Sequence, residues 1–515
     1  MGMALAVFAT GCAVELEEVS PEIELATAAE LTVSETRPNV VVVMVDDLDL
    51  DGMNTLLELD LAPNIEHYLV TEGTVFTQSF VANALCCPSR ATFLTGQYSH
   101  NNGVLSNTGP QGGVKAFDDT STLGTWLQDG GYRTSYAGKY LNGYGLRRKS
   151  RILAERPRYV PPGWSHWQGM IGAKNFNYRV NDSVDGVTTM VRYGEEPREY
   201  KTTILADRSE AFIRDANVRS DEQPFFLVVM PKTPHPEPNR AALSRFDHHV
   251  SPDPMDAIEK SARMADIQSL TPTSFTKPSF DYIDPSQPTW LREVGGEPLT
   301  DAHKAQITSY YRDRLASMLS VDDLVGTVMT ALDETGELDN TVVFFTSDNG
   351  YLLGEHRWHS KMVGYEESIR VPLYVRGPGF GPGVVDAPVV NTDLAPTIAE
   401  LAGVTPGLPV DGRSILSLVS SAPVWRDRIL LEHFDTNSVP DYRALRTEHH
   451  LYVEYEDGSG ERELYDLTAD PYQTLSLHAD ADQAPLIEAL AADLDSMRTC
   501  GEGSCQELEI AGQPW

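Results

Sequence analysis

The sequence predicts an α/β fold built on a doubly wound, mostly parallel central sheet, and three observations carry that prediction. Short, unbroken apolar runs recur between turn residues: Asn39-VVVVMV-Asp46, Pro224-FFLVVM-Pro231, Thr341-VVFFTS-Asp348 and Pro372-LYV-Arg376. Strands covered on both faces of a parallel sheet read this way, because neither face meets water. Helical periodicity lies between the runs. Over 303–333, Leu315, Leu319, Val321, Leu324, Val325, Val328 and Leu332 make an apolar face, and Asp393 to Ala402 reads as a further helix. Strands that alternate with helices fold with helices layered on one sheet.

Taken in order, Met1 to Gly11 is short and apolar and ends in Ala9-Thr10-Gly11-Cys12. This resembles the end of a bacterial lipoprotein signal, without a basic n-region and with Ala9 where such signals usually carry Leu. Residues 1–12 are therefore expected to be a signal remnant with Cys12 a candidate lipid anchor, and 13–36 an acidic flexible tether. Export is expected, to the periplasm, the cell surface or the medium. The main domain spans 37–424. Within it, 250–300 is rich in Pro and Ser without periodicity and reads as a long excursion from the core. From 425 to 515 the texture changes to short alternating segments, Leu451-YVEYE and Arg462-ELYDL, and an acidic helix at 485–497. That pattern predicts a smaller α+β subdomain. Cys500 and Cys505 enclose a Gly-rich loop, and the spacing suits a local disulfide or two free thiols equally.

Hydrophobic residues make up 41% of the 515, and charged residues 22%, which excludes general disorder and a coiled coil. No apolar run approaches the roughly 18 residues of a membrane helix. With 40 Lys+Arg against 75 Asp+Glu the net charge is −35, which argues against nucleic acid as a partner. By its sum that charge also disfavours a polyanion, but its distribution means that it does not exclude one. Residues 13–60 carry a net −12 and 480–515 a net −7, whereas 86–151 carry +5. At physiological salt the Debye length is about 8 Å, so distant acidic surface is largely screened.

Ligands of open α/β sheets bind beyond the carboxyl ends of the strands. The first apolar run ends in Asp46-Asp47, the third in Asp348-Asn349, and the second leads into Lys232-Thr-Pro-His235. One such oxygen-bearing pair reads best as a helix cap. Two, each ending a buried strand, point to a hard divalent cation, Ca²⁺ or Mg²⁺.

The most specific string is Cys86-Cys87-Pro88-Ser89-Arg90-Ala91-Thr92-Phe93-Leu94-Thr95-Gly96. Cys-x-Pro-Ser-Arg followed by Leu-Thr-Gly resembles the signature of the sulfatase family, whose first cysteine a formylglycine-generating enzyme converts to formylglycine. Only Cys86 has the Pro and Arg at the right offsets. The resemblance extends over roughly 37–475. It takes in Arg37-Pro-Asn-Val with Asp46-Asp47, Ser347-Asp348-Asn349-Gly350, and Gly354-Glu-His with Lys361 and Tyr365-Glu-Glu-Ser-Ile-Arg-Val-Pro-Leu. Thr392-Asp-Leu-Ala-Pro-Thr-Ile, Val410-Asp-Gly-Arg-Ser and Glu463-Leu-Tyr-Asp-Leu are similar to later blocks. Gly138-Lys-Tyr-Leu-Asn142 and Tyr159-Val-Pro-Pro-Gly-Trp164 resemble the branch containing N-acetylglucosamine-6-sulfatases and extracellular heparan endosulfatases. Leu141 stands where many sulfatases carry a histidine.

The resemblance implies an alkaline-phosphatase-like sheet and hydrolysis of sulfate esters of a sulfated carbohydrate, with N-acetylglucosamine-6-sulfate units as a candidate. It assigns the metal, Ca²⁺ before Mg²⁺, to Asp46, Asp47, Asp348, Asn349 and modified Cys86. Hydrated formylglycine at Cys86 would attack sulfur with one hydroxyl and expel sulfate with the other, an exit that a serine lacks. Arg90 would stabilise the nucleophile. Lys139, His235 and Lys361 would bind the sulfate, with His235 or Lys361 as proton donor to the leaving alcohol. His100 and His356 lie in segments that resemble the family's but read at least as well as ordinary structure. The basic run Arg147-Arg148-Lys149-Ser150-Arg151 reads first as a solvated loop, with contact to extra sulfates or carboxylates of a polysaccharide as the alternative. Two other functions stay open: a phosphonate or phosphate-ester hydrolase of the same superfamily, and a non-catalytic lipoprotein that captures sulfated glycans.

Overall fold

The computed structural model describes residues 37–145, 158–218, 223–237, 248, 250, 258–420, 424–434 and 439–510. The expected signal, tether and Cys12 and the basic run at 147–151 lie outside them. Ten strands make one sheet: β1 (Asn39–Val45), β2 (Thr74–Phe76), β4 (Arg133–Gly138), β5 (His166–Ile171), β6 (Arg179–Val184), β7 (Val187–Arg192), β8 (Phe225–Met230), β9 (Thr341–Ser347), β12 (Leu373–Arg376) and β13 (Gly383–Val385). Side by side they run β13-β2-β12-β9-β1-β8-β4-β5-β6-β7. The central strands β9, β1, β8, β4 and β5 are parallel. Antiparallel strands flank them, β12 on one side and the β6–β7 hairpin on the other.

Alternation along β1 divides its side chains between two cores. Val41, Val43 and Val45 pack with Leu315, Leu319 and Val325 of helix Asp301–Glu334 and Leu205 of helix Lys201–Val218. Val40, Val42 and Met44 pack with Ala91 and Leu94 of helix Cys86–Thr95 and Ile398 of helix Leu394–Leu401. Each fully buried aliphatic side chain contributes about 1.5–3 kcal/mol before entropy is charged against it.

Three departures from the sequence expectations have physical reasons. β4 reads Arg-Thr-Ser-Tyr-Ala-Gly, with no apolar run, yet is buried throughout. Its polar side chains are partnered: Thr134 Oγ1 accepts from Ser165 N at 3.0 Å, and Arg133 pairs with Asp215 at 2.5 Å. Among the described residues one helix, Asp301–Glu334, is long and apolar enough to cross a membrane, and 78% of its apolar window is buried inside the protein. Ser317, Ser320 and Asp322 interrupt its apolar sequence, and Asp322 accepts from Asn64 N and Ile65 N. The 250–300 excursion carries helices Ile258–Ser269 and Thr289–Gly295, the first placing Ile267 in the core.

Two short pairs, β3 (Ser79–Phe80) with β14 (Val389–Val390) and β10 (Leu352–Leu353) with β11 (His359–Ser360), brace the loops above the sheet. The C-terminal region forms an antiparallel sheet of β15 (Arg428–His433), β16 (Tyr442–Thr447), β17 (His450–Tyr455) and β18 (Arg462–Asp466). Helix Ala484–Met497 covers it through Leu490 and Leu494. Cys500 and Cys505 are joined as a disulfide.

A buried ion cluster ties this region to the large sheet. Arg426 donates to Asp393 Oδ1 at 2.6 Å and Glu509 Oε2 at 3.0 Å, and Tyr98 OH donates to Glu509 at 2.6 Å. All these residues are buried. Arg426→Met would leave Asp393 buried without its cation and Glu509 with Arg413 alone, at an expected cost of about 3–5 kcal/mol. Equilibrium urea unfolding measures this, and a midpoint equal to the wild-type value would refute it.

Candidate active site

The carboxyl ends of the parallel strands converge on one point. β1 delivers Asp46 and Asp47, β9 delivers Asp348 and Asn349, β4 delivers Lys139, and β8 leads to Lys232 and His235. Asp47 sits at φ 72°, a left-handed conformation that Asp tolerates better than most residues. Its backbone is pinned there, because Asp47 N donates to Asp348 Oδ1 at 3.1 Å and Arg314 donates to Asp47 O at 2.7 Å.

Cys86 opens the buried helix Cys86–Thr95. Pro88 lies in the first turn, where a missing N–H costs no helical bond. Gly96 ends the helix at φ 70°, its N–H bonded to Thr92 O at 2.7 Å. A Cβ there would come within 3.2 Å of Ala395 and Val410, so glycine is needed for space as well as conformation. Arg90 follows Cys86 by one turn on the same face. It donates through Nε to Asp348 Oδ2 and through Nη1 to Lys139 O, each at 2.8 Å.

Lys361 arrives from the other direction. β12 is antiparallel to β9, so the segment entering it comes in at the catalytic end of the sheet. Its Nζ pairs with Asp47 Oδ1 and lies 2.8 Å from Cys86 Sγ. Cys86 Sγ is 3.6 Å from Asp46 Oδ1, and Lys139 Nζ is 2.5 Å from Asp46 Oδ2. His235 Nε2 stands 3.9 Å from Asp47 Oδ2, while its Nδ1 is 2.7 Å from Pro236 O and 3.0 Å from Lys232 Nζ. All nine residues singled out from the sequence thus meet: Asp46, Asp47, Cys86, Arg90, Lys139, His235, Asp348, Asn349 and Lys361.

Charge is unevenly shared among them. Burial alone would raise Asp46, but Lys139, His235, Arg90 and Lys361 together hold it well below the ordinary carboxylate range. Burial and the Asp46 charge push Asp348 up to about 6. Burial raises the Cys86 thiol, so an unmodified cysteine here is a poor nucleophile. Burial and Lys232 lower His235 to about 3.

The donor set fits a hard cation. Asp46, Asp47, Cys86 and His235 offer atoms within 4.8 Å of one another. Asp47 Oδ2 and Asn349 Oδ1 are buried with no hydrogen-bond partner, and Asn349 Nδ2 is turned away to Asp47 Oδ1 at 2.8 Å. Unpartnered buried oxygens are costly and need a ligand to satisfy them. Carboxylate and amide oxygens suit Ca²⁺ or Mg²⁺.

Beside the cluster lies a cavity of about 590 Å³ whose walls include Lys139, Leu141, Asn142, Lys201, Lys232 and His235. Sequence reasoning assigned no role to Lys201 or Lys232. Lys232 was visible three residues before His235, whereas nothing local distinguishes Lys201 from any lysine at a helix start. His100 and His356 serve structure: His100 bonds Glu432 at 2.7 Å, and His356 stacks on Tyr365 and bonds Gln287.

The chain matches the family model Sulfatase over residues 38–404, and the model N-sulphoglucosamine sulphohydrolase, C-terminal, over 354–500. It is 32% identical over 412 residues to the extracellular sulfatase SULF-1 homolog of Drosophila melanogaster, covering 77% of this chain and 33% of that protein. It therefore spans about a third of that relative's length. It is 31% identical over 518 residues to N-acetylglucosamine-6-sulfatase of Homo sapiens, covering 91% of this chain and 86% of the relative. A protein solved in complex with its substrate D-glucosamine-2-N,6-O-disulfate shares the fold, with a TM-score of 0.70 at 23% identity over 93% of this chain and 100% of that one. The chain belongs to the sulfatase family of sulfuric ester hydrolases.

Proposed function

We propose that the protein releases inorganic sulfate from a sulfated carbohydrate, with N-acetylglucosamine-6-sulfate units as the first candidate. It would do so through formylglycine made from Cys86 and a divalent metal, Ca²⁺ before Mg²⁺. The observation that carries this reading is the seat of Cys86 Sγ, between Lys361 Nζ at 2.8 Å and Asp46 Oδ1 at 3.6 Å, beside a sugar-sized cavity. The names of the relatives support the substrate class.

Formylglycine, when hydrated, supplies a hydroxyl nucleophile and a second hydroxyl for releasing sulfate. The metal supplies positive charge against the sulfate oxygens, held by Asp46, Asp47, Asp348, Asn349 and residue 86. Arg90 neutralises Asp348 and fixes residue 86 one turn away. Lys139 and Lys361 are held above the ordinary lysine pKa, against the opposing effect of burial, chiefly by Asp46 and Asp47 respectively, and stay cationic for the sulfate oxygens. His235 is neutral in the free site. The approaching ester's negative charge raises its basicity, which suits it to deliver a proton to the departing oxygen. Because Cys86 is buried, conversion by a formylglycine-generating enzyme must precede closure of the chain. Export is supported by the Cys500–Cys505 disulfide, a bond favoured in oxidising compartments, and by the extracellular relative.

The expected result in protein from the native host is that residue 86 lacks the thiol mass and reacts with hydrazines, while Cys86→Ser abolishes turnover. A fully alkylatable Cys86 in active protein would sink the reading. Comparing kcat/KM on matched aryl sulfate and phosphate-diester substrates tests the reaction class, and preference for the diester would replace it. Glycan binding unchanged by Cys86→Ser, with no sulfate release at any metal concentration, would point to the non-catalytic alternative.

For the metal, Ca²⁺ added to chelator-treated protein is expected to raise the melting temperature, by the equivalent of about 2.7 kcal/mol at a hundredfold excess over Kd. Mg²⁺ is expected to do less, and Asp47→Ala to remove the shift. Equal melting curves with and without both cations would refute the assignment.

A further inference from the structure

Among the described residues the cavity beside the cluster is lined by four lysines, Lys115, Lys139, Lys201 and Lys232, and by no Asp or Glu. This is notable in a chain with 75 acidic residues against 40 basic ones. Lys139 is paired with Asp46, and Lys115 lies exposed at the rim. Lys201 and Lys232 differ from both: they are 2% and 5% exposed, and among the described residues neither has a carboxylate within 4.0 Å. Lys232 donates to Pro236 O at 2.8 Å and His235 O at 3.2 Å, with His235 Nδ1 3.0 Å away. Among the described residues Lys201 Nζ makes a single hydrogen bond, to Gly172 O at 3.1 Å, and lies 4.9 Å from the centre of the Tyr178 ring. An ammonium has three N–H donors, so two remain for a ligand.

We propose that Lys201 anchors a second anion subsite in this cavity, so that the preferred sugar carries a second anionic substituent, a sulfate or a carboxylate, besides the ester that is cleaved. The inference rests on the sulfatase reading and narrows its substrate class. A buried ammonium with no carboxylate in ion-pair contact is expensive, and the more distant charges of Glu237 and Asp46 do not offset that cost at Lys201. Burial and the neighbouring Lys232 accordingly push Lys201 down to about 7. An anion accepting from Lys201 would repay that cost, where a neutral hydroxyl would not. The positive end of the 18-residue helix Lys201–Val218, which this residue begins, adds to the attraction. The volume of about 590 Å³ lies in the range of small-molecule pockets, so a sugar fits together with its sulfate.

The test measures kcat/KM on three probes: N-acetylglucosamine-6-sulfate, glucosamine-2-N,6-O-disulfate, and a 6-sulfated disaccharide with a neighbouring uronate. Wild type is expected to prefer at least one doubly anionic probe by about tenfold or more, the scale of a charge-assisted hydrogen bond. The probe preferred identifies the second group. Lys201→Met is expected to remove most of that preference, chiefly through KM, and Lys201→Arg to restore much of it, which separates lost charge from misfolding. No preference in wild type, or the same preference in Lys201→Met, overturns the proposal. Calorimetric binding of the same sugars to Cys86→Ser protein separates the two readings. Discrimination that depends on Lys201, without turnover in wild type, would leave the subsite standing and remove the sulfatase. Turnover without discrimination would do the reverse.

Discussion

Three carboxylates, Asp46, Asp47 and Asp348, meet in the dry ends of adjacent strands, and the rest of the site is a response to their repulsion. Like charges in a low-dielectric setting cannot all stay ionised unless cations interleave them. Three cations do so, Arg90, Lys139 and Lys361, each from a different stretch of chain. The pairing therefore also holds the Cys86 helix, the end of β4 and the segment before β12 onto the sheet. Formally the cluster is balanced without a metal. A bound divalent ion would leave it two charges positive, which suits an anionic ester. The excess that binds substrate would thus come from the cofactor, with the protein supplying a neutral frame.

That frame explains why a cysteine can occupy this position. An unmodified thiol is held off from nucleophilic chemistry chiefly by its burial, which Asp46 and Asp348 reinforce and Lys139 and Lys361 oppose. A neutral hydrate needs no ionisation by burial-opposed means. On the proposed mechanism Lys361, 2.8 Å from Cys86 Sγ, would face either the nucleophile or the sulfate oxygens while keeping its Asp47 partner.

The sequence was most legible where physics leaves one solution. β1, β8, β9 and β12 are buried on both faces, so unbroken Val, Phe and Leu runs announce them, and the residues just past their ends could be nominated before any coordinates. β4 was silent because Arg133 and Thr134 are buried with polar partners from distant segments, Asp215 and Ser165, which a linear pattern does not carry. Helix Asp301–Glu334 was found by period, but its continuity across Ser317, Ser320 and Asp322 depends on Asn64 and Ile65 satisfying Asp322 from across the core. The site was legible where motif and strand end coincide, as at Cys86, Asp46 and Asp348. It was opaque at Lys201, which reaches the cavity only because the helix beginning there packs beside β4 and β8.

Lys201 also bears on the chain's acidity. A net charge of −35 is a long-range property, weakened within about 8 Å of salt solution. Recognition in a partly open cavity is a short-range one, set by which side chains line it. Among the described residues those walls carry no Asp or Glu while Lys201 and Lys232 are buried in them, which would let an acidic protein take an anion without becoming a sticky polycation. The acidic exterior would even discriminate: it repels long polyanions that cannot enter, while a short, doubly charged sugar that fits exchanges that repulsion for two buried lysines and the metal cluster. Selectivity for small over polymeric anions would then grow as ionic strength falls.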